Sequence, residues 1–597
     1  MGTEQSPQQS MSLLSLTEAS LRCQATAQSF ERGEAYFQSG SVVSLIQRGQ
    51  VIHADVEGND VHPRHITLHF DPGGITGVDC TCEYSLKGWC EHIVATLLTC
   101  IRQPEKIETR PTLEQLLDRL EPQQLRSLLQ TLIGTHPELI DTIDLLIAQQ
   151  TAPPSPQPRR QTAVDPVPFR RQVKQILRNA VDAWESGYDD DPVSEEIIDL
   201  ICTAKDFSHQ GDGNNALITL EAITDACIEH WGYASDYGLD NDEITTHLDS
   251  AWTEAILTAE LSATEQHDLK HKLETWQDEL DGNLSMSLEA LRQGWDYPPL
   301  QRVFQGEITP LGAWQNEAPN YASRLVQIRL QILDRQDRHQ EYLYLAQAEG
   351  QTEQYLTMLG RLGRVAEAMT EASTQMSTME EAFALAKTLR EQGALPQALE
   401  IGHKGLSLAG LCRADLATWT SELAEGLGER TIALEARIQG FAAQPSIGDY
   451  HKVKDLAGAE WPTVQSDLVK KLRHSQHWEA SQAKVDIFLE EGLIEDAIAA
   501  VQNLSYFHAQ LIHRVMDAAI QTHPEWVINN ARVRAEEIIN RGKAVAYDHA
   551  ANWLRKMRLA YLAAGRQADW TAYRSQLIKT HGRKYKLMGL LEQRDLA

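Results

Sequence analysis

The most informative segment of this sequence is Cys80-Thr81-Cys82-Glu83-Tyr84-Ser85-Leu86-Lys87-Gly88-Trp89-Cys90-Glu91-His92. It reads C-x-C, an insert of seven residues and then C-x-H, and so supplies three thiols and one imidazole. Four soft or borderline ligands of this kind are the set that a closed tetrahedral zinc site requires. The pattern therefore predicts a structural Zn²⁺ site whose ligands are Cys80, Cys82, Cys90 and His92.

The spacing of these four residues also predicts the elements that carry them. Residues i and i+2 of an extended chain point to the same side, so a strand over residues 77–82 would aim both sulfurs of Cys80 and Cys82 at one ion. Residues 93–101 read as a helix, which places Cys90 and His92 in its first turn, where backbone N–H groups favour a thiolate. C-x-C alone would also fit a redox pair or buried strand residues, and the C-x-H that follows favours zinc.

The pattern resembles the SWIM zinc finger, in which C-x-C, a variable spacer and C-x-H lie on a β-β-α unit. The segment Phe30-Glu31-Arg32-Gly33-Glu34-Ala35-Tyr36-Phe37-Gln38-Ser39-Gly40-Ser41-Val42 looks like the one that precedes this finger in bacterial SWIM proteins. The resemblance covers about residues 20–104, a minority of the chain. It implies zinc held by the same four ligands and a role in DNA and protein interaction, with no chemistry of its own.

Length and charge limit the possible functions. The chain has 597 residues, which is enough for several domains or for one extended repeat array. It carries 54 Lys and Arg against 84 Asp and Glu, and the net charge of −30 disfavours a nucleic-acid protein that acts through its global field. Residues 20–104 contain six basic and nine acidic side chains. This module is therefore poorly charged for duplex DNA, and protein contact is the favoured use.

The eight cysteines are too few for a disulfide framework and predict a reduced, cytoplasmic setting. Five of them are not assigned to zinc and are predicted to be inert core residues: Cys23, Cys100, Cys202, Cys227 and Cys412. Residues 1–10 lack the basic and apolar regions of a signal peptide. Since no run of 18 apolar residues occurs, no membrane span is predicted.

The N-terminal region is predicted to contain a mobile tail (1–20) and the SWIM-like zinc finger domain (21–104). One helix is expected at Leu21–Gln38, followed by strands at 42–46, 51–56 and 65–70 that form a small antiparallel sheet ending in the zinc strand. Four further histidines lie in this region: His53, His62, His65 and His69. A second metal site there is conceivable but not favoured, because no carboxylate or cysteine stands at a ligand spacing.

Leucines at helical spacing make residues 105–150 a short helical extension, with three short helices over 113–120, 125–132 and 139–146 that are expected to pack beside the finger. Residues 151–168 are rich in proline and predict a linker. Residues 169–300 predict a helical domain. Its two acidic loops, 188–191 and 236–243, lack the glycine and distal glutamate of an EF-hand and are expected to stay in water rather than bind calcium.

Residues 301–597 contain an internal repeat and predict an α-solenoid. Four times a glycine is followed five residues later by an alanine: Gly363 and Ala368, Gly393 and Ala398, Gly428 and Ala433, Gly492 and Ala497. In a fifth case Gly565 is followed by Trp570. The implied unit is near the 34 residues of a tetratricopeptide (TPR) helix pair, with glycine at the turn and alanine where helices approach. The region resembles degenerate TPR repeats, whose grooves bind peptides or proteins, although a mere spacer also satisfies the pattern.

One local stretch opposes the global acidity. Residues 531–588 carry 13 basic side chains against 4 acidic ones, with six aromatic residues between them. Such a stretch could contact phosphates and stack on bases, or it could serve internal packing, which the core-like spacing of the aromatics favours. Loss of salt-sensitive binding on neutralising Arg583, Lys584 and Lys586 would favour the nucleic-acid reading.

Motifs of catalysis are missing from the sequence: there is no phosphate-binding P-loop, no H-E-x-x-H, no G-x-S-x-G and no dinucleotide glycine pattern. A zinc ion with four protein ligands also leaves no position for a reacting water. The sequence thus predicts a mostly α, cytoplasmic, non-catalytic interaction protein with a small zinc-bound β-β-α domain and a long TPR-like solenoid. Protein partners are expected, a nucleic-acid-binding factor accessory to a helicase-like machine is the alternative, and the oligomeric state is left open.

Overall fold

The computed structural model describes residues 17–58, 62–82, 88–136, 163–185, 193–235, 241–280, 282–475, 480–505, 508–593 and 595–596. The chain divides into two units. The first unit joins Met1–Arg119 to Leu399–Ala597, and the second is Leu120–Ala398. The first unit therefore combines the segment with the predicted zinc ligands and the C-terminal helices, although these are distant in sequence.

Helices form most of the described chain. They are α1 Glu18–Gln24, α2 Ala27–Gln38, α3 Glu91–Arg102, α4 Leu113–Leu117, α5 Pro122–Thr135, α6 Val167–Glu185, α7 Val193–His209, α8 Gly213–Ser235, α9 Asn241–Thr258, α10 Ala263–Glu279, α11 Ser285–Gln293, α12 Pro298–Phe304, α13 Ala322–Arg335, α14 His339–Ala348, α15 Thr352–Arg361, α16 Val365–Gln375, α17 Met379–Glu391, α18 Leu395–Gly405, α19 Arg413–Gly426, α20 Arg430–Ala443, α21 Ile447–Ala457, α22 Trp461–His474, α23 Ala480–Glu490, α24 Ile494–Val501, α25 Ala509–Ala519, α26 Pro524–Arg541, α27 Tyr547–Ala563, α28 Gln567–His581 and α29 Tyr585–Leu591. The strands are β1 Val42–Arg48, β2 Val51–Val56, β3 Arg64–Asp71, β4 Gly74–Cys80 and β5 Glu108–Thr109. The predicted class, mostly α with a small N-terminal sheet, is confirmed.

Helices α1 and α2 occupy the place of the single helix predicted at Leu21–Gln38, and that prediction was wrong. Ala25 is extended, with φ −113° and ψ 150°, and ends α1. The side chain of Thr26 then accepts a hydrogen bond from the Ser29 N–H and caps the start of α2. A threonine cap satisfies a backbone donor that a continuous helix would have satisfied itself, so two helices form.

The sheet has the strand order β4-β3-β2-β1-β5, antiparallel except for the β1–β5 pair. Residues alternate between its faces, and Ile52, Ala54 and Val56 of β2 are buried while His53 is exposed. Helix α3 is buried along most of its length and shares the core of this domain with the inward-facing strand residues. The predicted antiparallel sheet is confirmed, and the short parallel strand β5 was not predicted.

The repeat glycines end helices, as predicted. Gly363 has φ +69°, and the N–H of Arg364 donates to the Leu359 carbonyl oxygen at 3.0 Å, which closes the turn between α15 and α16. A left-handed residue at this position is the usual C-terminal stop, and glycine adopts it without a steric penalty. The four repeat alanines are fully buried, as expected for close helix contacts. The resemblance to TPR repeats stays a prediction.

The second unit has its own core, built from α6–α13 and centred on buried residues such as Trp252 and Leu273. One buried carboxyl inside it, that of Asp249, has hydrogen-bond donors close by. Asp249 accepts from the backbone N–H of Ser287 at 2.8 Å and from its hydroxyl at 2.6 Å, and burial raises the pKa of this carboxyl. The helical domain predicted from residue 169 onward is thus observed as helices, and the first of them begins at Val167, inside the predicted linker.

Helices α4 and α5 correspond to the first two of the three predicted short helices, but their leucines are not buried. Leu113 is 69% exposed, and Leu116, Leu128, Leu129 and Leu132 are exposed as well. The exposure shows that these leucines are not core residues, and the packing of these helices beside the finger stays a prediction. The third predicted helix, linker residues 151–162, the acidic loop 188–191, loop residues 236–240 and tail residues 1–16 lie outside the described residues.

A membrane span is not found in the part of the chain that the structure describes. None of its helices combines the length and the apolar content that crossing a bilayer demands.

Candidate metal centre

Two neighbouring elements bring the four predicted ligands together. Cys80 is the last residue of β4, Cys90 is the N-cap residue of α3, and His92 lies in the first turn of that helix. The predicted helix start is confirmed. The predicted strand was too long, because β4 ends at Cys80 and Cys82 follows it. Residues 83–87 of the insert lie outside the described residues.

The distances fit one tetrahedral ion. His92 Nδ1 lies 4.0 Å from Cys80 Sγ and 3.9 Å from Cys90 Sγ, and all four ligand atoms lie within 4.8 Å of one another. Metal–ligand bonds of about 2.3 Å to sulfur and about 2.05 Å to nitrogen place tetrahedral ligand atoms about 3.6 to 3.8 Å apart. A small contraction of the cluster would therefore satisfy these bonds. Three thiols and one imidazole are a donor set that suits zinc.

Electrostatics at the cluster favour a thiolate on Cys90. The neighbouring Cys80 side chain, together with His92 and the backbone N–H of Ile93, holds the pKa of Cys90 well below its ordinary value against the opposing effect of burial. The same contact with Cys90, followed by burial, raises the pKa of Cys80. Cys90 is thus the thiol that ionises more readily, and a thiolate is the form that binds a cation.

The surroundings of His92 fix its ring. His92 is 8% exposed, its ring centre lies 5.3 Å from that of Tyr36 on α2, and the Thr96 hydroxyl donates to the His92 carbonyl oxygen at 2.9 Å. Helices α2 and α3 approach so closely at Gly33 that a Cβ there would lie 2.6 Å from Val94. Close packing of this kind holds ligands in place before the ion binds.

Helix α1 contacts the segment that precedes Cys90. The N–H of Trp89 donates to the Gln24 carbonyl oxygen at 2.9 Å. Gly88 has φ +98°, and a Cβ on it would lie 2.5 Å from the same oxygen, so only glycine fits. The segment that leads into Cys90 therefore lies directly on the end of α1.

The far side of α1 contacts helix α21 through a buried polar cluster, which we call the α1–α21 clasp (Thr17, Ser20, Glu425 and Lys452). Lys452 Nζ lies 3.0 Å from Thr17 Oγ1, 2.6 Å from Ser20 Oγ and 2.6 Å from Glu425 Oε1. Its side chain is only 2% exposed. The sequence did not predict this contact, because Lys452 is 435 residues from Thr17 and 432 residues from Ser20, and no local pattern marks these residues.

A second buried cation lies beside the clasp. Arg437 Nη1 is 3.0 Å from Asp449 Oδ1 and its Nη2 is 3.5 Å from Glu422 Oε1, which also accepts from the side-chain amide of Gln24. At Gly448, a Cβ would lie 3.1 Å from Cys23 Cα. The N-terminal domain and the C-terminal helices of the first unit are thus joined by buried charge and by close backbone contact.

The extra histidines do not form a second cluster. On the exposed face of the sheet, His65 Nδ1 lies 2.5 Å from Asp55 Oδ1, and His53 Nδ1 lies 3.4 Å from Thr67 Oγ1. In the described residues, the single group of three or more close metal-ligating side chains is the Cys80 to His92 cluster. His62 and His69 are exposed and belong to no such group.

None of the eight cysteines, all of which the structure describes, takes part in a disulfide. Cys100 and Cys227 are buried and burial raises the pKa of each to about 12, as the prediction of inert core residues requires. Cys23 and Cys412 are half-buried. The prediction was wrong for Cys202, which is exposed on α7.

Most of the thirteen basic residues in 531–588 form hydrogen bonds or ion pairs with other residues of the chain. Nine have a partner in the chain: Arg532, Arg534, Arg541, Arg555, Lys556, Arg566, Arg574, Lys584 and Lys586. Arg558 is engaged as well. The interleaved aromatics Tyr547, Trp553, Tyr561 and Trp570 are buried core residues. The structural interpretation of this stretch is therefore confirmed for most of its members.

Fold and site together define a protein with a small sheet, a Cys3His cluster that could hold a metal ion, and an array of helices in contact with that domain. Known proteins with similar sequences are animal SWIM-type zinc finger proteins. The homologue of zinc finger SWIM domain-containing protein 8 in Drosophila melanogaster is 32% identical over 139 residues, which cover 21% of this chain and 6% of that protein. The human and mouse proteins of that name are 23% identical over 354 residues, covering 47% of this chain and 19% of theirs.

The chain thus spans less than a fifth of the length of these relatives. No family model matches it. The similarity supports the SWIM resemblance, and the bacterial part of that resemblance stays a prediction.

Proposed function

We propose that this protein is a zinc-binding, non-catalytic scaffold that recruits protein partners. The observation that carries the proposal is the closed Cys3His cluster together with the α1–α21 clasp, which fastens the metal domain to the C-terminal helices. Four protein ligands leave no position on a zinc ion for substrate or water, so the ion has a structural role. The metal holds a strand end against a helix start, and recognition belongs to the surfaces around it.

A protein partner suits the surface charge better than duplex DNA does. The chain has a net charge of −30, and nine of the thirteen cations in its most basic stretch are occupied by contacts with the chain. Phosphate binding needs cations that are free to release counterions, so a broad nucleic-acid face is disfavoured. Helix arrays offer extended surfaces for peptides and proteins. Eight cysteines without a disulfide suit a reducing compartment, and we propose that the protein works in the cytoplasm.

The zinc assignment has a direct test. Metal analysis of the purified protein should give about one zinc per chain, as a closed four-ligand site requires. The variant C80S/C90S should contain none. Cys202→Ser is the matched control, because Cys202 is exposed and distant in sequence from the cluster, and its zinc content should equal that of the native protein. Native protein without zinc, or undiminished zinc in C80S/C90S, would contradict the assignment.

The scaffold role is tested by comparing partners of the native chain with those of C80S/C90S. We expect a stoichiometric protein partner that is crosslinked to the native chain and lost from the zinc-free variant, because metal loss unfolds the ligand-bearing segments. Nuclease treatment should leave this partner bound. Partners that nuclease removes, or that the zinc-free variant keeps in full, would contradict the proposal.

A further inference from the structure

Three of the thirteen basic residues in 531–588 have no partner within the described chain: Lys543, Lys579 and Arg583. All three are exposed. Lys543 follows the end of α26, whereas Lys579 and Arg583 lie in the last turn of α28 and just after it. The unpaired cations are therefore confined to two inter-helix turns, α26–α27 and α28–α29.

Two lysines with structural roles hold these turns side by side. Lys584 Nζ donates to the Ile539 carbonyl oxygen near the end of α26 and lies 5.9 Å from the ring centre of Tyr547. Lys586 Nζ lies 2.5 Å from Asp548 Oδ2 at the start of α27. The chain is thus anchored on both sides of Tyr585.

Tyr585 itself points into solvent. Its side chain is 85% exposed, and Val545 in the facing turn is 83% exposed. Cations after the ends of α26 and α28 complement the negative ends of the helix dipoles, which accounts for Lys543 and Arg583. It does not account for an aromatic ring that is held in water between two anchored neighbours, since such a ring contributes nothing to the core. We call this surface the C-terminal tip (Lys543, Val545, Lys579, Arg583 and Tyr585).

We propose that the C-terminal tip binds single-stranded nucleic acid. The Tyr585 ring would stack on an unpaired base, while Lys543, Lys579 and Arg583 would contact the neighbouring phosphates. A duplex buries its base faces and would leave the ring unused, and an acidic peptide would use the cations but not the aromatic face. The proposal is independent of the metal centre and goes beyond the scaffold role.

Salt dependence follows from the number of free cations. Three phosphate contacts on a single strand give a slope of about −2 in log K against log salt. Affinity should therefore fall about 16-fold between about 50 and about 200 mM salt. Loss of base stacking costs about 1 to 3 kcal/mol, so Tyr585→Ala should weaken binding by roughly 5- to 150-fold.

The test is fluorescence anisotropy of the full chain with labelled single-stranded RNA and DNA of about 12 nucleotides, within the site size of such surfaces. Tyr585→Ala and the double variant K543A/R583A should each weaken binding. The double variant should also reduce the slope of log K against log salt to about −0.7, the value for one phosphate contact on a single strand. Arg541→Ala is the matched control, because Arg541 lies in the same turn but is held by Glu537 at 2.5 Å. It should leave binding unchanged.

Binding that is absent at low salt, or that is unaffected by Tyr585→Ala, would overturn the proposal. Tight binding of a polyglutamate peptide that persists in Tyr585→Ala would overturn it in favour of an acidic protein partner. The zinc-free C80S/C90S variant separates this proposal from the scaffold role. It should keep its nucleic-acid binding while losing zinc-dependent protein partners.

Discussion

Replacing Lys452 by methionine should release the N-terminal domain from helix α21. Methionine preserves most of the aliphatic volume but removes the ammonium, which makes three short polar contacts of 2.6 to 3.0 Å in the α1–α21 clasp. Removing one member of a buried ion pair typically costs about 3 to 5 kcal/mol, because the other charge stays buried without compensation. Glu425 is 17% exposed and can gain some water, so we expect about 3 kcal/mol.

Native-state hydrogen exchange is the appropriate assay, because a chain of 597 residues does not unfold in one step. Lys452→Met should speed exchange in α1 and α21 by about 100-fold, the equivalent of about 3 kcal/mol, and leave α6–α13 of the second unit unchanged. Lys454→Met is the matched control, because Lys454 lies on the same helix and is exposed.

A double-mutant cycle isolates the ion pair. Combining Lys452→Met with Glu425→Gln removes both charges, so the double variant should be less destabilised than the sum of the two single variants. Unchanged exchange in α1 of Lys452→Met, or strict additivity in the cycle, would refute the account of the clasp.

Two further predictions concern the helix array. Gly363→Ala should destabilise the α15–α16 turn by about 1 to 2 kcal/mol, because Gly363 has φ +69°, although a Cβ there would meet no neighbour. Gly589→Ala, within α29, is the control and should be neutral or stabilising. Hydrogen-exchange rates that change equally around the two sites would contradict this. Burial, aided by Lys556, lowers the pKa of His513 from its ordinary value to about 4. As pH falls from about 6.5 towards 4, the unfolded segment binds this proton first, so up to about 2 kcal/mol of local stability is lost. His513→Phe, which retains the stack on Trp553, should reduce this loss. Hydrogen exchange of α25 at several pH values, corrected for the intrinsic exchange rate, measures it, and an equal loss in both proteins would contradict the assignment.

The clustering of the four candidate ligands could be predicted because its signals are local. Cys80 and Cys90 are ten residues apart, and the helix that begins at Cys90 follows directly from the apolar residues after His92. The end of the strand was predicted at residue 82, two residues beyond the end of β4. The C-x-C spacing requires only that both sulfurs reach one ion, and a bend after β4 meets that requirement as well as a longer strand does. The break at Thr26 was missed because the residues on both sides have a helical pattern.

Contacts that depend on distant partners could not be read from the sequence. Lys452 has no local feature that distinguishes it from the exposed Lys454 two residues later. The glycine signal for the repeat also fails where another residue takes its place: Asp337, with φ +55°, closes the turn after α13 in the way that Gly363 closes the turn after α15. The basic stretch likewise appeared uniform in sequence, although its cations divide into paired residues and the three of the C-terminal tip.

The joining of Met1–Arg119 to Leu399–Ala597 in one unit has a consequence for synthesis on the ribosome. Helix α1 is made early, but α21, on which it packs, begins at Ile447. At about 5 to 20 residues per second, the intervening chain takes about 20 to 85 seconds to emerge. During that interval α1 lacks its partner helix while the whole of the second unit is made. A zinc ion held by the Cys80 to His92 cluster, as proposed above, would stabilise the nascent N-terminal domain until the C-terminal helices are made.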